Sequence, residues 1–394
     1  VRELNSKLRY SLVMIVILLF SSGCASDVKD IEKLNYASAL GVDYKDGKFH
    51  GYIQFIDFQS IAKATESKKQ TAKVWVGEGV GNSLEESLFS LYQTAQERIY
   101  WGHLTSIVVS EAAFKQGFGE IYDSIARYHE FRLTSWVFGT REPMRDILST
   151  GGFLGQSPLS TILHEPEGTY AQNSFIKPIK LHRLLGELNE PGYTSCIPVL
   201  ALNKKQWKEK NKIEPKLMID GAIFLKNEVL QSYIPLKKLS GLRWIQQGTI
   251  RAGISVPKNS PESVQVVVEN PKSKLKLVST EDKPKYNIDL KAKGYIVSRT
   301  KKSLSELHPL MDETKKAIEQ EIVELFRTGR DTHTDIFNLE HNLYRHHYRQ
   351  WKAISPAKEQ LYSENTINEV KIDLNIVHSS SEKFPDIKNQ SHSK

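Results

Sequence analysis

Cysteine is nearly absent: the 394-residue chain has two, Cys24 and Cys196. That excludes the disulfide framework that holds many small exported domains together, so the fold must rest on buried apolar side chains. Long apolar runs are scarce too. The one unbroken run, Leu12–Phe20, is far short of the roughly 20 residues that a membrane-spanning helix needs. No sign of charge dominates. Lys and Arg number 54 against 46 Asp and Glu, and a net +8 over this length is too dilute to argue for nucleic acid. It does suit a protein held against an anionic lipid surface. Catalytic signatures are also missing: there is no H-E-x-x-H, no G-x-S-x-G and no P-loop.

What is present begins at the N-terminus. Arg2, Lys7 and Arg9 make a basic start, Leu12–Phe20 an apolar core, and Ser21-Ser22-Gly23 a small-residue stretch directly before Cys24. This is the order of a secretory signal. Small residues before a cysteine are what lipoprotein processing reads, so residues 1–23 are expected to be removed. Cys24 is then expected to become the new N-terminus, its thiol carrying a diacylglycerol with palmitate among its acyl chains. One departure is Ser21, where such signals usually carry leucine; Leu19 lies two residues earlier. Cys196 sits in the apolar stretch Tyr193–Leu200 and reads as a small core residue more readily than as a nucleophile.

Beyond a polar tether at 25–33, strands are expected over Tyr36–Val42, Gly51–Phe58 and Ala72–Val76. Ser83-Leu-Glu-Glu86 reads as a capping box opening a helix. A buried strand over Trp101–Ser110, a helix over Phe114–Phe131 and a strand over Leu133–Gly139 follow. Next come a helix over Lys180–Leu188 and a strand over Cys196–Leu202. Residues 203–216 are strongly charged and read as a linker or exposed loop. After them the chain turns β-rich, with a hairpin around Lys226-Asn227 and strands over Val264–Val268, Leu275–Val278 and Tyr286–Val297. A helix over Met311–Arg327 should stop at Gly329. Thr332–Asp335 should cap one further helix whose buried face carries Ile336, Leu339, Leu343, His347 and Trp351, and Val370–Ile376 should close the fold as a strand. The expected class is α+β, multi-domain, with antiparallel or mixed sheets and packed helices. The divisions are a signal at 1–23, an N-terminal region at 24–202, the linker at 203–216, a C-terminal domain at 217–378 and a polar tail at 379–394.

Several motifs resolve into structure instead of chemistry. Gly77-Glu-Gly-Val-Gly81 lacks phosphate-loop spacing and reads as a turn before the Ser83 cap. Ser60-Ile-Ala-Lys63 matches S-x-x-K but lacks the companion motifs of penicillin-recognising enzymes. His341 and His346 are five apart and do not share a helix face as a metal pair would, and His164-Glu165 has no second histidine. Trp101 and His103, flanking Gly102, are expected to be structural. No catalytic residue, metal ligand or cofactor site emerges. The helix around Asp335–Trp351 carries Tyr344, Arg345, Tyr348 and Arg349 away from its apolar face. Tyrosine and arginine are enriched at interface hot spots, so these four form the candidate partner-contact surface.

In combination these segments resemble the Ger(x)C family, the lipoprotein subunits of nutrient germinant receptors in bacterial endospores. The resemblance rests on the lipid cysteine, Ala39-Leu-Gly-Val-Asp43, and Tyr100-Trp-Gly-His-Leu104 running into Ile107–Glu111. It continues through Gly221-Ala-Ile-Phe224, Trp244 near Gly248, Asp335-Ile-Phe337, Trp351 and the strand Val370–Ile376. It spans residues 24–378. The tryptophan common after the lipid cysteine is replaced by Ala25-Ser26. The resemblance implies a three-domain α+β protein without a catalytic centre. It implies attachment to the outer face of the spore inner membrane through the Cys24 anchor, and partnership with the integral membrane A and B subunits of the receptor. A solute-binding lipoprotein of a transporter is the alternative, disfavoured by the antiparallel pattern after residue 220; a cell-wall hydrolase is disfavoured by the missing catalytic groups.

Overall fold

The structure is a computed structural model. It describes residues 10, 11, 14, 34–56, 74–298 apart from 128, 129, 155, 259, 262, 281 and 282, then 307–354 and 363–377. Cys24, the rest of the signal segment, the tether, Ser60–Lys63 and the polar tail lie outside the described residues.

The chain opens with β1 (Leu34–Lys45) and β2 (Lys48–Ile56). They are joined at Asp46-Gly47, both in the left-handed region that a tight hairpin requires. Then come β3 (Val74–Gly81), α1 (Leu84–Tyr92), β4 (Arg98–Tyr100), β5 (Ser106–Ser110), α2 (Glu111–Phe114) and α3 (Phe118–Ala126). They are followed by β6 (Trp136–Thr140), α4 (Met144–Ser149), α5 (Pro166–Gln172), β7 (Ile179–Lys180), α6 (Leu181–Leu188) and β8 (Ser195–Asn203). A small ribbon, β9 (Lys208–Glu209) and β10 (Lys212–Ile213), precedes β11 (Lys216–Lys226) and β12 (Val229–Pro235).

Apart from the ribbon, these strands make one large sheet in the order β12-β11-β8-β6-β5-β1-β2-β3, with β4 paired to β1 and β7 to β6. Its four central strands, β1, β5, β6 and β8, run parallel, with antiparallel pairs at both edges. Helices cover both faces. On one side α1, α2, α3 and α6 pack on Ile107, Val109, Val137 and Ile197. On the other, α4 and Leu163 pack on Val108, Phe138 and Leu200. Burial on both faces is why Ser106–Ser110 shows no alternation: every residue in it is buried.

The second sheet is built from β13 (Arg251–Val256), β14 (Val264–Ser279), β15 (Lys285–Ser298) and β16 (Ile367–Val377), in that order, the last pair parallel. Between its last two strands lie α8 (Leu307–Asp331), α9 (Leu339–His346) and α10 (Tyr348–Ile354); the short α7 (Leu242–Ile245) precedes β13. The buried face of α8 carries Ile318, Ile322 and Leu325, as its period implies.

The α+β class with mixed sheets stands, and several local expectations are corrected. The boundary after 216 is not where the sheets divide, because β11 and β12 extend the first sheet through nine paired positions with β8. Their outer face, through Ala222, Phe224 and Ile234, packs on Leu242, Leu325 and Ile336, so the seam between the two halves lies on this hairpin. The expected helix over 114–131 breaks at Gly117, whose φ of 110° is open to glycine alone. The run Gly77–Gly81 is not a turn but part of β3, with its three glycines on the face toward α1. A Cβ at Gly79 would stand 2.0 Å from the Ser87 carbonyl, so the glycines let α1 lie directly on the strand. Ser83 caps α1 as expected, while Glu86 reaches back to Asn82 N, one residue earlier than in a capping box. Gly329 does not end α8, which continues to Asp331.

Candidate partner interface

The corner formed by α9 and α10 is held by its buried side. Leu339 and Leu343 are fully buried against Tyr286 and Phe326. The cap is not the expected box over Thr332–Asp335. Instead the Asp335 carboxylate alone accepts from the backbone N–H of both Leu339 and Glu340, at 2.9 Å each. Glu340, itself buried, receives Lys226 of β11 and the Trp351 indole of α10. Asn338 accepts the Thr194 backbone N–H at 2.6 Å, and His341 meets the Tyr193 ring edge-on at 4.9 Å and the Pro191 carbonyl at 3.1 Å. The corner thus meets the first sheet, the second sheet and α8 at once. Sequence reading missed Lys226 and Glu340, because a helical glutamate carries no mark of burial until its lysine is found 114 positions away.

On the outer side, Tyr344 is half-buried while Arg345, Tyr348 and Arg349 are exposed. The Tyr344 ring meets Trp351 at 5.1 Å and Tyr348 at 6.0 Å, making a continuous aromatic ridge. One expectation is corrected: the single helix expected around Asp335–Trp351 breaks at His347 (φ −141°, ψ 53°), so Arg345 and Arg349 lie on different helices. Arg345 comes within 3.8 Å of Glu190. Next to this corner, a cleft of about 690 Å³ opens between the halves, walled by Lys177, Arg183, Tyr193, Cys196, Lys274 and Arg345 among others. Burial pushes the Cys196 thiol well up from its ordinary value, so it stays protonated and unreactive in that wall. Burial, more than the nearby Glu187, pushes the Tyr193 hydroxyl up to about 12. Among the described residues no group of His, Cys, Asp or Glu could hold a metal ion.

Trp101 and His103 part company. Trp101 is buried, stacked on Phe131 at 4.7 Å, with its indole N–H donated to the Tyr92 hydroxyl at 3.3 Å. His103 is exposed, its ring packed on Tyr36 and Tyr100.

His164 is a core histidine. Its Nδ1 meets Thr105 Oγ1 at 2.5 Å, while the Thr105 hydroxyl also reaches the Ser38 carbonyl and Ser106 donates to Leu163 O. With those protons given to carbonyls, Nδ1 carries the imidazole proton, and Nε2 is buried without a partner. Burial holds the ring's pKa down at about 3. The unfolded chain, with histidine near its ordinary 6.5, therefore binds more protons between these two values. Stability from this group is complete above pH ~6.5 and declines as pH falls toward 3, at up to about 1.4 kcal/mol per pH unit. Urea midpoints measured from pH 7 to 4 should fall more steeply for the wild type than for His164→Gln; equal slopes would remove the argument.

Comparison with known proteins gives consistent answers. The family described as "Spore germination protein N-terminal domain" matches residues 27–202, and "Spore germination B3/ GerAC like, C-terminal" matches 219–380. Spore germination protein B3 of Bacillus subtilis (strain 168) is 22% identical over 365 residues, covering 89% of this chain and 93% of its own. Spore germination protein KC of the same organism is 21% identical over 370 residues, covering 89% and 91%. The crystal structure of the GerBC protein aligns with a TM-score of 0.50 at 19% identity, over 88% of this chain and all of that one, and so shares the fold.

Proposed function

The chain belongs to the Ger(x)C family of spore germination proteins, and from that premise we propose that it is the lipid-anchored, non-enzymatic subunit of a nutrient germinant receptor. The observation that carries this reading is the pair of family matches in series over nearly the whole chain from residue 27. The reading is not that of a transporter's solute-binding component. In it, the protein sits on the outer face of the spore inner membrane beside the integral membrane A and B subunits. Among the described residues no helix is long and apolar enough to cross a membrane; the attachment is placed at Cys24 because of the signal-like residues before it. Two acyl chains hold a protein firmly where one binds only marginally, which makes the diacylated form the expected species.

One genetic experiment tests function and anchor together. Spores lacking the gene should fail to respond to at least one nutrient in a panel, and the wild-type gene should restore the response. Cys24→Ala should leave the body folded but move it out of the membrane fraction. A variant that stays membrane-bound through a high-salt wash removes the anchor assignment. A deletion strain that answers every nutrient normally removes the receptor assignment.

The partner surface is proposed at Tyr344, Arg345, Tyr348 and Arg349, supported by the aromatic ridge and by the exposure of both arginines. Arg345→Glu with Arg349→Glu should leave thermal stability almost unchanged, since the Glu190 contact is long and exposed. It should also lower the amount of A and B subunits retained with the protein. Normal retention and normal germination would make this corner a lid on the sheets and nothing more.

A further inference from the structure

The charged segment 203–216 is exposed and carries an ordered ribbon. Asn203 Oδ1 accepts the backbone N–H of Lys205 and of Gln206, and Glu214 N donates to the Trp207 carbonyl at 3.0 Å, closing the β9–β10 ribbon. This ordered ribbon holds its apolar groups in solvent. Trp207 is 50% exposed and Ile213 49%. Trp207 meets Phe153 edge-on at 4.8 Å, and the neighbouring Leu154 is 85% exposed, on a backbone with φ 52° that turns the residue outward from its loop. Lys216 lies over the Phe153 ring at 4.8 Å and donates to the carbonyl of Gly152. Around this apolar tip, residues 203–216 carry six lysines against two glutamates.

We infer that the Phe153–Leu154 loop and the β9–β10 ribbon form a second membrane contact, a tip that docks on an anionic lipid bilayer. Tryptophan and aliphatic side chains partition to the depth of the headgroups, where an indole keeps its N–H wet. Lysines lay their methylene stems along that apolar surface and place their ammonium groups among lipid phosphates. Lysine is the discriminating residue type. Protein–protein interfaces are depleted in it, whereas an anionic leaflet attracts it without requiring a fixed geometry. The inference rests on the membrane-anchored reading above and adds an orientation to it. β8 leaves the first sheet at the end opposite to the start of β1, since the two run in the same direction. Residues 25–33 can span at most about 32 Å. With the anchor and the tip in one bilayer, the central strands therefore lie along the membrane instead of standing on it.

The test uses full-length protein carrying Asn211→Cys at the ribbon turn, labelled with an environment-sensitive fluorophore. The probe is phosphatidylcholine vesicles with or without one-third phosphatidylglycerol, containing nitroxide-labelled lipid. With half-buried Cys196, which lines the cleft, replaced as Cys196→Ser, an acylated chain takes one label and a chain with free Cys24 takes two. The expected result is several-fold stronger quenching on the anionic vesicles than for a label at Glu319→Cys on the exposed side of α8, weakened by high salt. Trp207→Ser with Leu154→Ser should abolish that quenching while the protein still pellets with vesicles. One label per chain, pelleting and no quenching would overturn the tip and leave the anchor. Two labels per chain would overturn the anchor; quenching on anionic vesicles would then still support the tip, and its absence would overturn that too. Shielding that appears only when the membrane subunits share the vesicle would make the tip a protein interface and overturn the bilayer assignment.

Discussion

Glu321→Ala is expected to destabilise the protein by about 3–5 kcal/mol, the cost of leaving a buried charge without its partner. Arg243 of α7 donates through Nη2 to both Glu321 oxygens, at 3.0 and 2.9 Å, and the Trp244 indole donates to Oε2 at 2.7 Å. Both charged side chains are less than a tenth exposed, and the guanidinium lies over the rings of Trp244 and Phe175. Removing the carboxylate strands the arginine, whose Nε already lacks a partner. The cluster joins α7 to α8 beside Gly241, where a Cβ would stand 2.2 Å from the Glu321 carbonyl. Denaturant midpoints for Glu321→Ala, Arg243→Met and the double variant make a cycle. The double variant should recover much of the loss, because replacing a buried pair by apolar groups is often close to neutral. If Glu321→Ala alone costs under about 1 kcal/mol, the value of an exposed pair, the site is wetter than its geometry implies.

Trp101→Ala should cost a similar amount, about 3–5 kcal/mol, through the cavity it leaves under Phe131. The ring is 2% exposed within the main core of the first sheet, so its removal is felt through packing. Trp101→Phe should recover part of the loss, while His103→Ala, at an exposed site, should change little. Equilibrium unfolding measures all three. Wild-type stability in Trp101→Ala, with germination lost, would make this segment a contact surface instead of core.

The two clusters differ in how they could be read beforehand. Trp101 sits at the head of an apolar run, and a large ring there announces burial. Glu321 lies in a helix whose apolar face was legible from its period, yet nothing local distinguishes it from the solvent-facing glutamates around it. Its role depends on Arg243, 78 positions earlier. The same limit hid Lys226 and Glu340.

Periodicity and turn chemistry are local, and the sequence alone determined what depends on them. That includes the apolar face of α8, the doubly buried run at Ile107–Val109, the mixed α+β class and the order of motifs that marks the family. Helix breaks at Gly117 and His347 were harder, because a single residue's φ depends on where the chain must go next. Strand pairing belongs wholly to the tertiary structure. Whether β11 joins the sheet before it or the one after it is decided by which edge offers unpaired backbone groups and a matching apolar face. β8 offers both, so the seam between the halves falls inside a hairpin that composition assigns to the second half. Tertiary packing likewise turned a lysine-rich stretch that reads as a linker or exposed loop into an ordered ribbon with its tryptophan held out to solvent.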